Sequence, residues 1–192
     1  AILTRAPSEN GNLRFDESFL RSLSVGADCM AVGMGCGVSR GVYDILCFLL
    51  HEYKGVLLVD ADGINSLAAF GVQALEKASC KVILTPHPKE FSRLSDVELP
   101  DVLQNGAALA AAFAEKYGCT VLLKGCTSVI TDGKRILLNT EGTPALAKGG
   151  SGDVLSGVVA SLAARGVPPL QAAACGAFLL GRAGVYAARE KG

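Results

Sequence analysis

Short apolar runs alternate along the chain with longer segments in which apolar residues recur at helical spacing. The apolar runs are rich in Val, Leu and Ile, and each stops at a Gly, a Pro or a charged residue. These runs predict strands at residues 29–33, 56–60, 81–85 and 120–124. Strands that alternate with helical segments are typical of βαβ units, in which helices pack on a parallel sheet.

The ends of the elements are marked by residues with special backbone preferences. Gly55 and Gly118 each stand between a helical segment and a strand, where Gly takes the left-handed conformation that ends a helix. Asp132-Gly133 separates residues 127–131 from 135–138 and predicts an antiparallel hairpin after the parallel section. Helices are predicted over residues 101–117, 154–165 and 171–189. We therefore predict one α/β domain over residues 1–192.

Composition and charge limit the kinds of partner and the cellular environment that we expect for this protein. The 18 Lys and Arg residues balance 18 Asp and Glu residues, which gives no basic surplus for nucleic acid or an acidic membrane. No apolar stretch approaches the ~20 residues needed to cross a bilayer, and the chain does not start with a secretory signal pattern. The seven cysteines include no C-x-x-C pair, which favours reduced thiols over disulfides or zinc. We therefore expect a cytoplasmic protein.

A glycine-rich turn at residues 148–153 stands immediately before a predicted helix. Glycines allow close approach of the backbone to a ligand, and the first amides of a helix have no internal partner and attract anions. Asp153 lies within this turn, where a carboxylate repels phosphate unless it accepts a proton from an attacking hydroxyl. The alternative is that Asp153 only caps the helix and that the glycines only permit tight packing.

Further polar residues follow the predicted strands, at the sheet edge where open α/β sheets bind ligands. Asp60-Ala61-Asp62 and Asn65 follow one strand, and the alternative is that Asp62 or Asn65 only opens the next helix. His87, held between two prolines, is a binding candidate, and the alternative for Glu90 is that it only starts a helix. Residues 124–128 can contact a nucleotide or form a plain turn.

Glycines at positions 33, 35 and 37 form a third turn at a strand end. This turn lacks the full G-x-G-x-x-G pattern, and no acidic residue follows at the offset expected for a dinucleotide fingerprint. A Rossmann-type NAD site is therefore not predicted.

Taken in order, these motifs resemble those of the ADP/ATP-dependent NAD(P)H-hydrate dehydratases, a family of the ribokinase-like superfamily. The matching motifs are Gly33-x-Gly35-x-Gly37, Asp60-Ala61-Asp62-x-x-Asn65, Leu84-Thr85-Pro86-His87-Pro88-x-Glu90, Leu123-Lys124-Gly125 and Gly149-Gly150-Ser151-Gly152-Asp153-Val154-Leu155-Ser156-Gly157. The Gly-x-Gly-Asp element also marks small-molecule kinases, whereas the His-Pro-x-Glu stretch together with Asp-Ala-Asp narrows the resemblance to the dehydratases. The resemblance implies a three-layer α/β/α fold with a mainly parallel sheet and a terminal antiparallel hairpin.

The resemblance also implies a reaction and a set of site residues. ADP or ATP would phosphorylate the ring hydroxyl of NADHX or NADPHX, and loss of phosphate would restore NADH or NADPH. Asp153 would be the catalytic base and would also contact the substrate. Mg²⁺ would shield the phosphates, with Glu90 or Asp60 reaching it directly or through water. The nucleotide would be bound by Lys124, Gly125, Cys126, Thr127, Ser128, Gly149, Gly150, Ser151 and Gly152, and the hydrated dinucleotide by Gly35, Gly37, Asp60, Asn65 and His87.

The chain departs from the family pattern at three places. Met34 stands where the family usually has Pro, and Lys89 stands where it usually has Gly. The Gly-rich segment and the strands that begin family members are not found before Ala1, so we expect the domain to lack its amino-terminal strands.

Two other hypotheses remain open, a kinase of a small alcohol and a nucleotide-binding protein without turnover. The resemblance also favours a homo-oligomer.

Overall fold

The computed structural model describes residues 3–191, and its centre is a six-stranded sheet. A separate two-stranded hairpin precedes it, formed by β1 (Ser8–Glu9) and β2 (Asn12–Leu13). The sheet contains β3 (Cys29–Val32), β4 (Val56–Val59), β5 (Lys81–Leu84), β6 (Thr120–Leu123), β7 (Ser128–Thr131) and β8 (Ile136–Asn139) in that spatial order. The first four strands are parallel, and β7 and β8 complete the sheet as an antiparallel hairpin.

Seven α-helices and two 3₁₀ segments connect these strands within the described residues. The α-helices are α1 (Glu17–Ser24), α2 (Arg40–Glu52), α3 (Ala61–Phe70), α4 (Pro88–Ser95), α5 (Leu99–Tyr117), α6 (Ser151–Ala164) and α7 (Pro169–Lys191). The 3₁₀ segments are Val72–Lys77 and Pro144–Leu146. Within residues 3–191, no helix is both long and apolar enough to span a bilayer.

Alternate side chains of each strand point to opposite faces of the sheet, and this divides the core into two clusters. On β4, Leu57 and Val59 pack with helices α1 to α5, whereas Val56 and Leu58 pack with α6 and α7. Both faces are therefore covered, which explains why β4 and β6 are apolar at nearly every position instead of alternating with polar residues. The predicted three-layer α/β/α arrangement is confirmed.

The helix after the glycine-rich turn begins earlier than its apolar pattern suggested. Residues 151–153 form the first turn of α6, three residues before the predicted start at Val154. The apolar spacing could not mark this turn, because Ser, Gly and Asp occupy it. The observed start places Asp153 inside the helix and not in the loop before it.

Gly33, directly after β3, allows two backbone segments to approach very closely. Its φ of +121° lies in the region that favours glycine, and a Cβ at this position would lie only 1.9 Å from the carbonyl oxygen of Asp60. The N–H of Asp62 donates to the Gly33 carbonyl at 3.2 Å. This glycine therefore holds the end of β3 against the start of α3.

We expect Gly33→Ala to destabilise the protein more than Gly26→Ala does. Both residues have positive φ values, but a Cβ at Gly26 would meet nothing within 4 Å. Gly26→Ala should cost about 1–3 kcal/mol from backbone strain alone, whereas the added clash at Gly33 should cost at least about 2 kcal/mol more. Urea denaturation of both variants measures the difference, and equal losses would show that the close approach is unimportant.

Candidate functional site

The polar residues that follow β4, β5 and β6 meet at one edge of the sheet because these strands are parallel neighbours. The ammonium group of Lys124, after β6, donates to Oδ1 of Asp60, after β4, at 2.9 Å. The Lys124 backbone N–H donates to the Pro86 carbonyl at 2.8 Å, which fixes the end of β6 against the end of β5. Asp60 is 1% exposed, so this ion pair is the most buried charged contact of the edge.

Asp60 is also the residue that opens α3. Its Oδ1 accepts a hydrogen bond from the Ala61 N–H at 2.9 Å, and its extended backbone is typical of an N-cap. The interpretation of Asp62 or Asn65 as the capping residue is therefore wrong. Asp62 instead accepts from the N–H of Gly37 at 2.8 Å, and Asn65 accepts from the guanidinium of Arg93 at 2.6 Å.

His87 and Glu90 form a reciprocal cap at the start of α4. The His87 N–H donates to Glu90 Oε2 at 2.8 Å, and Nδ1 of His87 accepts from the Glu90 N–H at 3.2 Å. Burial lowers the pKa of His87 below its usual value, although the Glu90 carboxylate acts in the opposite direction. A neutral imidazole therefore lies beside a buried carboxylate. Glu90 also lies in the first turn of α4, as predicted by the alternative that this residue starts a helix.

The amino terminus of α6 presents unpaired backbone donors. Gly150 is the N-cap with a φ of +86°, and no side chain caps this end. Within residues 3–191 the N–H groups of Gly152 and Asp153 have no hydrogen-bond partner. Such donors, at the positive end of the helix dipole, form a site for an oxyanion. Because the Asp153 side chain is exposed and does not bond the N-cap, the interpretation of Asp153 as a mere cap is not supported.

A cleft of about 910 Å³ opens beside this terminus. One wall brings together many of the residues assigned to the nucleotide by resemblance, and Lys148 adds an exposed ammonium group to the half-buried one of Lys124. The predicted residues on this wall are Lys124, Gly125, Cys126, Ser128, Gly149, Ser151 and Gly152, with His87 beside them.

The remaining predicted residues lie outside the lining of the cleft. Thr127 and Gly150 belong to the same two turns but do not line it, and Asp153 lies one residue beyond the lining residue Gly152. Gly35, Gly37 and Asn65 lie near the ends of β3 and β4, apart from the cleft. Asp60 and Glu90 lie beneath the cleft floor, in contact with Lys124. The structure thus separates the predicted nucleotide set from most of the predicted dinucleotide set.

The opposite wall of the cleft was not found from the sequence. It comes from residues 139–147 and from one face of α7, including Leu180 and Gly181. A Cβ at Gly181 would lie 2.4 Å from the Glu141 carbonyl oxygen, so the loop packs directly on the helix backbone. Arg182 adds an ion pair to Glu141 at 3.5 Å. The pair of small residues at positions 181 and 184 on a predicted helix is the only sequence signal for this contact.

The carboxylates near the cleft do not form a resident metal site. In the described part of the chain, no group of three or more His, Cys, Asp or Glu side chains could hold a metal ion. Asp60 and Glu90 are committed to Lys124, to backbone N–H groups and to Ser156. The expectation that either carboxylate binds Mg²⁺ directly does not fit these contacts. A Mg²⁺ ion bound to nucleotide phosphates would enter with the substrate.

The fold defines a class, the α/β proteins of ribokinase-like architecture. A ribokinase-like superfamily protein from Enterococcus faecalis has a TM-score of 0.75 at 28% identity, with 90% of this chain and 60% of that chain covered. The hydroxyethylthiazole kinase from Pyrococcus horikoshii has the same TM-score at 19% identity, over 92% of this chain and 70% of that one, which indicates a shared fold.

The sequence comparisons identify the family. A family model described as NAD(P)H-hydrate dehydratase matches residues 6–192. The bifunctional NAD(P)H-hydrate repair enzyme Nnr of Hyperthermus butylicus is 40% identical over 171 residues, which are 85% of this chain and 31% of that protein. The ADP-dependent (S)-NAD(P)H-hydrate dehydratase of Cenarchaeum symbiosum is 38% identical over 171 residues, or 88% of this chain and 58% of that protein. The chain belongs to the NAD(P)H-hydrate dehydratase family.

A solved relative adds a structural comparison. The ADP/ATP-dependent NAD(P)H-hydrate dehydratase of Bacillus subtilis, co-crystallised with ATP and Mg²⁺, has a TM-score of 0.70 at 27% identity. That match covers 83% of this chain and 58% of that one. The chain thus spans about a third of the bifunctional relative and somewhat more than half of the dehydratases named above.

We expect Asp60→Ala to reduce the free energy of unfolding by about 3 kcal/mol or more, because it leaves the Lys124 ammonium without its buried partner. Asp44→Ala is the matched control, since the Asp44 pair with Arg40 has the same 2.9 Å length but is largely exposed. That control should cost less than about 1 kcal/mol. Chemical denaturation compares the two, and similar losses would contradict the structural weight assigned to Asp60.

Proposed function

We propose that this protein dehydrates NADHX or NADPHX to NADH or NADPH and consumes ADP or ATP in the process. Family membership supports the reaction class. The observation that carries the proposal is the first turn of α6, where unpaired amides and the Lys124 ammonium face a cleft and an exposed carboxylate stands one residue away. A carboxylate repels phosphate, so its position at this site favours a role in accepting a proton over phosphate binding alone.

The nucleotide occupies the cleft, with its phosphates at the amino terminus of α6. The volume of about 910 Å³ lies within the ~300–1,000 Å³ range typical of small-molecule sites. Lys124 and Lys148 supply positive charge at the phosphate end, and the amides of α6 supply directed donors. The apolar part of the lining accepts the base, and it includes Pro144, Leu146, Ala147, Leu155, Ala177 and Leu180.

Asp153 acts as the general base. It accepts the proton of the ring hydroxyl while the hydroxyl oxygen forms a bond to the terminal phosphorus, and the shortened nucleotide leaves. The carbon–oxygen bond then breaks and phosphate leaves with the bonding electron pair, while the neighbouring ring carbon gives a proton to water. The ring double bond is thereby restored, and no oxidant is needed. The α6 amides stabilise charge on the transferred phosphoryl group.

The hydrated dinucleotide is proposed to bind across the ends of β3 and β4. His87 lines the cleft, and burial lowers its pKa. Because its Nδ1 accepts from the Glu90 N–H, the neutral imidazole carries its proton on Nε2 and can donate a hydrogen bond there without adding charge. Gly35, Gly37 and Asn65 lie near the ends of β3 and β4, as Asp60 does, although Gly37 donates to Asp62 and Asn65 accepts from Arg93 in this structure. Their contact with the substrate stays a prediction, as do the single-domain assignment of residues 1–192 and a homo-oligomeric assembly.

The direct test is recovery of the NADH absorbance band when the full-length protein is mixed with NADHX, Mg²⁺ and either ADP or ATP. Asp153→Asn should lower the rate by about 100-fold or more, because the amide cannot accept the proton. Nucleotide affinity, measured by calorimetry, should change little because the backbone donors remain. A stable phosphorylated product instead of NADH would contradict the dehydratase and favour a small-alcohol kinase.

The chemical reactivity of two exposed thiols can show where the nucleotide binds, without any measurement of catalysis. Cys126 lines the cleft, whereas Cys175 is exposed on α7 outside the cleft lining. Bound ADP should slow alkylation of Cys126 by iodoacetamide and leave Cys175 unchanged, as followed by peptide mass spectrometry. Equal rates with and without ADP would place the nucleotide elsewhere.

A further inference from the structure

Asp60 joins three elements through a single buried carboxylate. Its Oδ1 accepts from the Ala61 N–H and from the Lys124 ammonium, and its Oδ2 accepts from the Ser156 hydroxyl at 2.9 Å. The carboxylate thus links the cap of α3, the end of β6 and the body of α6. Since both oxygens hold partners and the residue is 1% exposed, Asp60 cannot also contact a substrate in this arrangement.

The Ser156 hydroxyl donates its hydrogen bond to an acceptor that is unusual for a helical serine. A helical serine commonly donates to a carbonyl of its own helix one turn earlier. Ser156 is fully buried in α6 and instead donates to a carboxylate 96 positions away in sequence. Because a hydrogen bond to a charged acceptor is stronger than one between neutral groups, this contact fixes how α6 sits on the sheet edge.

This contact lies one turn below the proposed phosphate site. A Cβ at Gly152 would lie 3.5 Å from Asp60 Oδ2 and 3.8 Å from the Lys124 ammonium, so the first turn of α6 rests on the ion pair. Asp153 stands between Gly152 and Ser156 on the same helix. Any rotation or shift of α6 would therefore move Asp153 and the free amides relative to Lys124.

We propose that Ser156 is a positioning residue that acts through Asp60. It fixes the positions of the α6 amides and of Asp153 relative to the Lys124 ammonium. The carboxylate of Asp153, the amide donors and the Lys124 charge can then act on the same phosphoryl group. This role rests on the proposed function for its catalytic consequence, but the mechanical link between α6 and Asp60 stands on the contacts alone. Ser156 itself does not line the cleft.

The test compares Ser156→Ala with Ser156→Cys in the full-length protein. Misplacement of a catalytic group by about 1 Å can cost ~100-fold in rate, so Ser156→Ala should lower kcat by about 10- to 100-fold. The KM for the nucleotide should change much less, since the base pocket and the phosphate donors remain. Cysteine keeps the size of the side chain and a weak donor, so Ser156→Cys should give an intermediate kcat.

Two serine controls separate positioning from general loss of packing. Ser161→Ala makes the same change on the exposed side of α6. Ser66→Ala removes a buried helical hydroxyl that has no partner among the described residues. Both should retain the wild-type kcat. If Ser156→Ala retains it as well, or if all three lower kcat alike, the positioning role is refuted.

Hydrogen exchange provides a measurement that does not depend on the reaction. Ser156→Ala should speed amide exchange in peptides that cover residues 151–160 and leave residues 128–139 of the hairpin unchanged. Unchanged exchange in α6 would overturn the positioning role whether or not the protein is active. An inactive wild-type protein whose α6 loosens in Ser156→Ala would instead overturn the proposed function and keep the link to Asp60.

Discussion

The site is organised around a buried ion pair, in which the Asp60 carboxylate holds the Lys124 ammonium at 2.9 Å. A charge taken out of water is costly unless it is paired and hydrogen-bonded, and Asp60 meets this condition with three donors. Each donor belongs to a different element, so the requirement to satisfy one carboxylate also fixes the relative positions of α3, β6 and α6. The same pair places a cation in the wall of the cleft, where nucleotide phosphates are proposed to bind.

Much of the fold could be predicted from the sequence because its signals are local. Apolar runs gave β4, β5 and β6, and Asp132-Gly133 gave the hairpin of β7 and β8, since the turn requires residues that tolerate a positive φ. The motifs identified the family and the three-layer fold, and both are confirmed. The first turn of α6 was missed, because Ser151, Gly152 and Asp153 carry no apolar periodicity.

The site was only partly predictable, since its remaining features depend on distant residues. The sequence predicts that Asp60 lies at the end of a strand. Its role as the cap of α3, however, depends on the backbone path set by Gly33. Ser156 lay inside a recognised motif, yet nothing local indicates a bond to a residue 96 positions away. The second wall of the cleft depends on how residues 139–147 pack against α7, and no motif marks that packing.

The glycines of α7 determine the width of the cleft. A Cβ at Gly184 would lie 2.7 Å from the Leu146 side chain, much as one at Gly181 would meet the Glu141 backbone. The spacing between this helix and the loop therefore limits the size of the molecule that the cleft can hold. Under the proposed function, the fit of the nucleotide and the transfer of its phosphoryl group would depend on separate parts of the chain, so that a substitution in one part could leave the other unchanged.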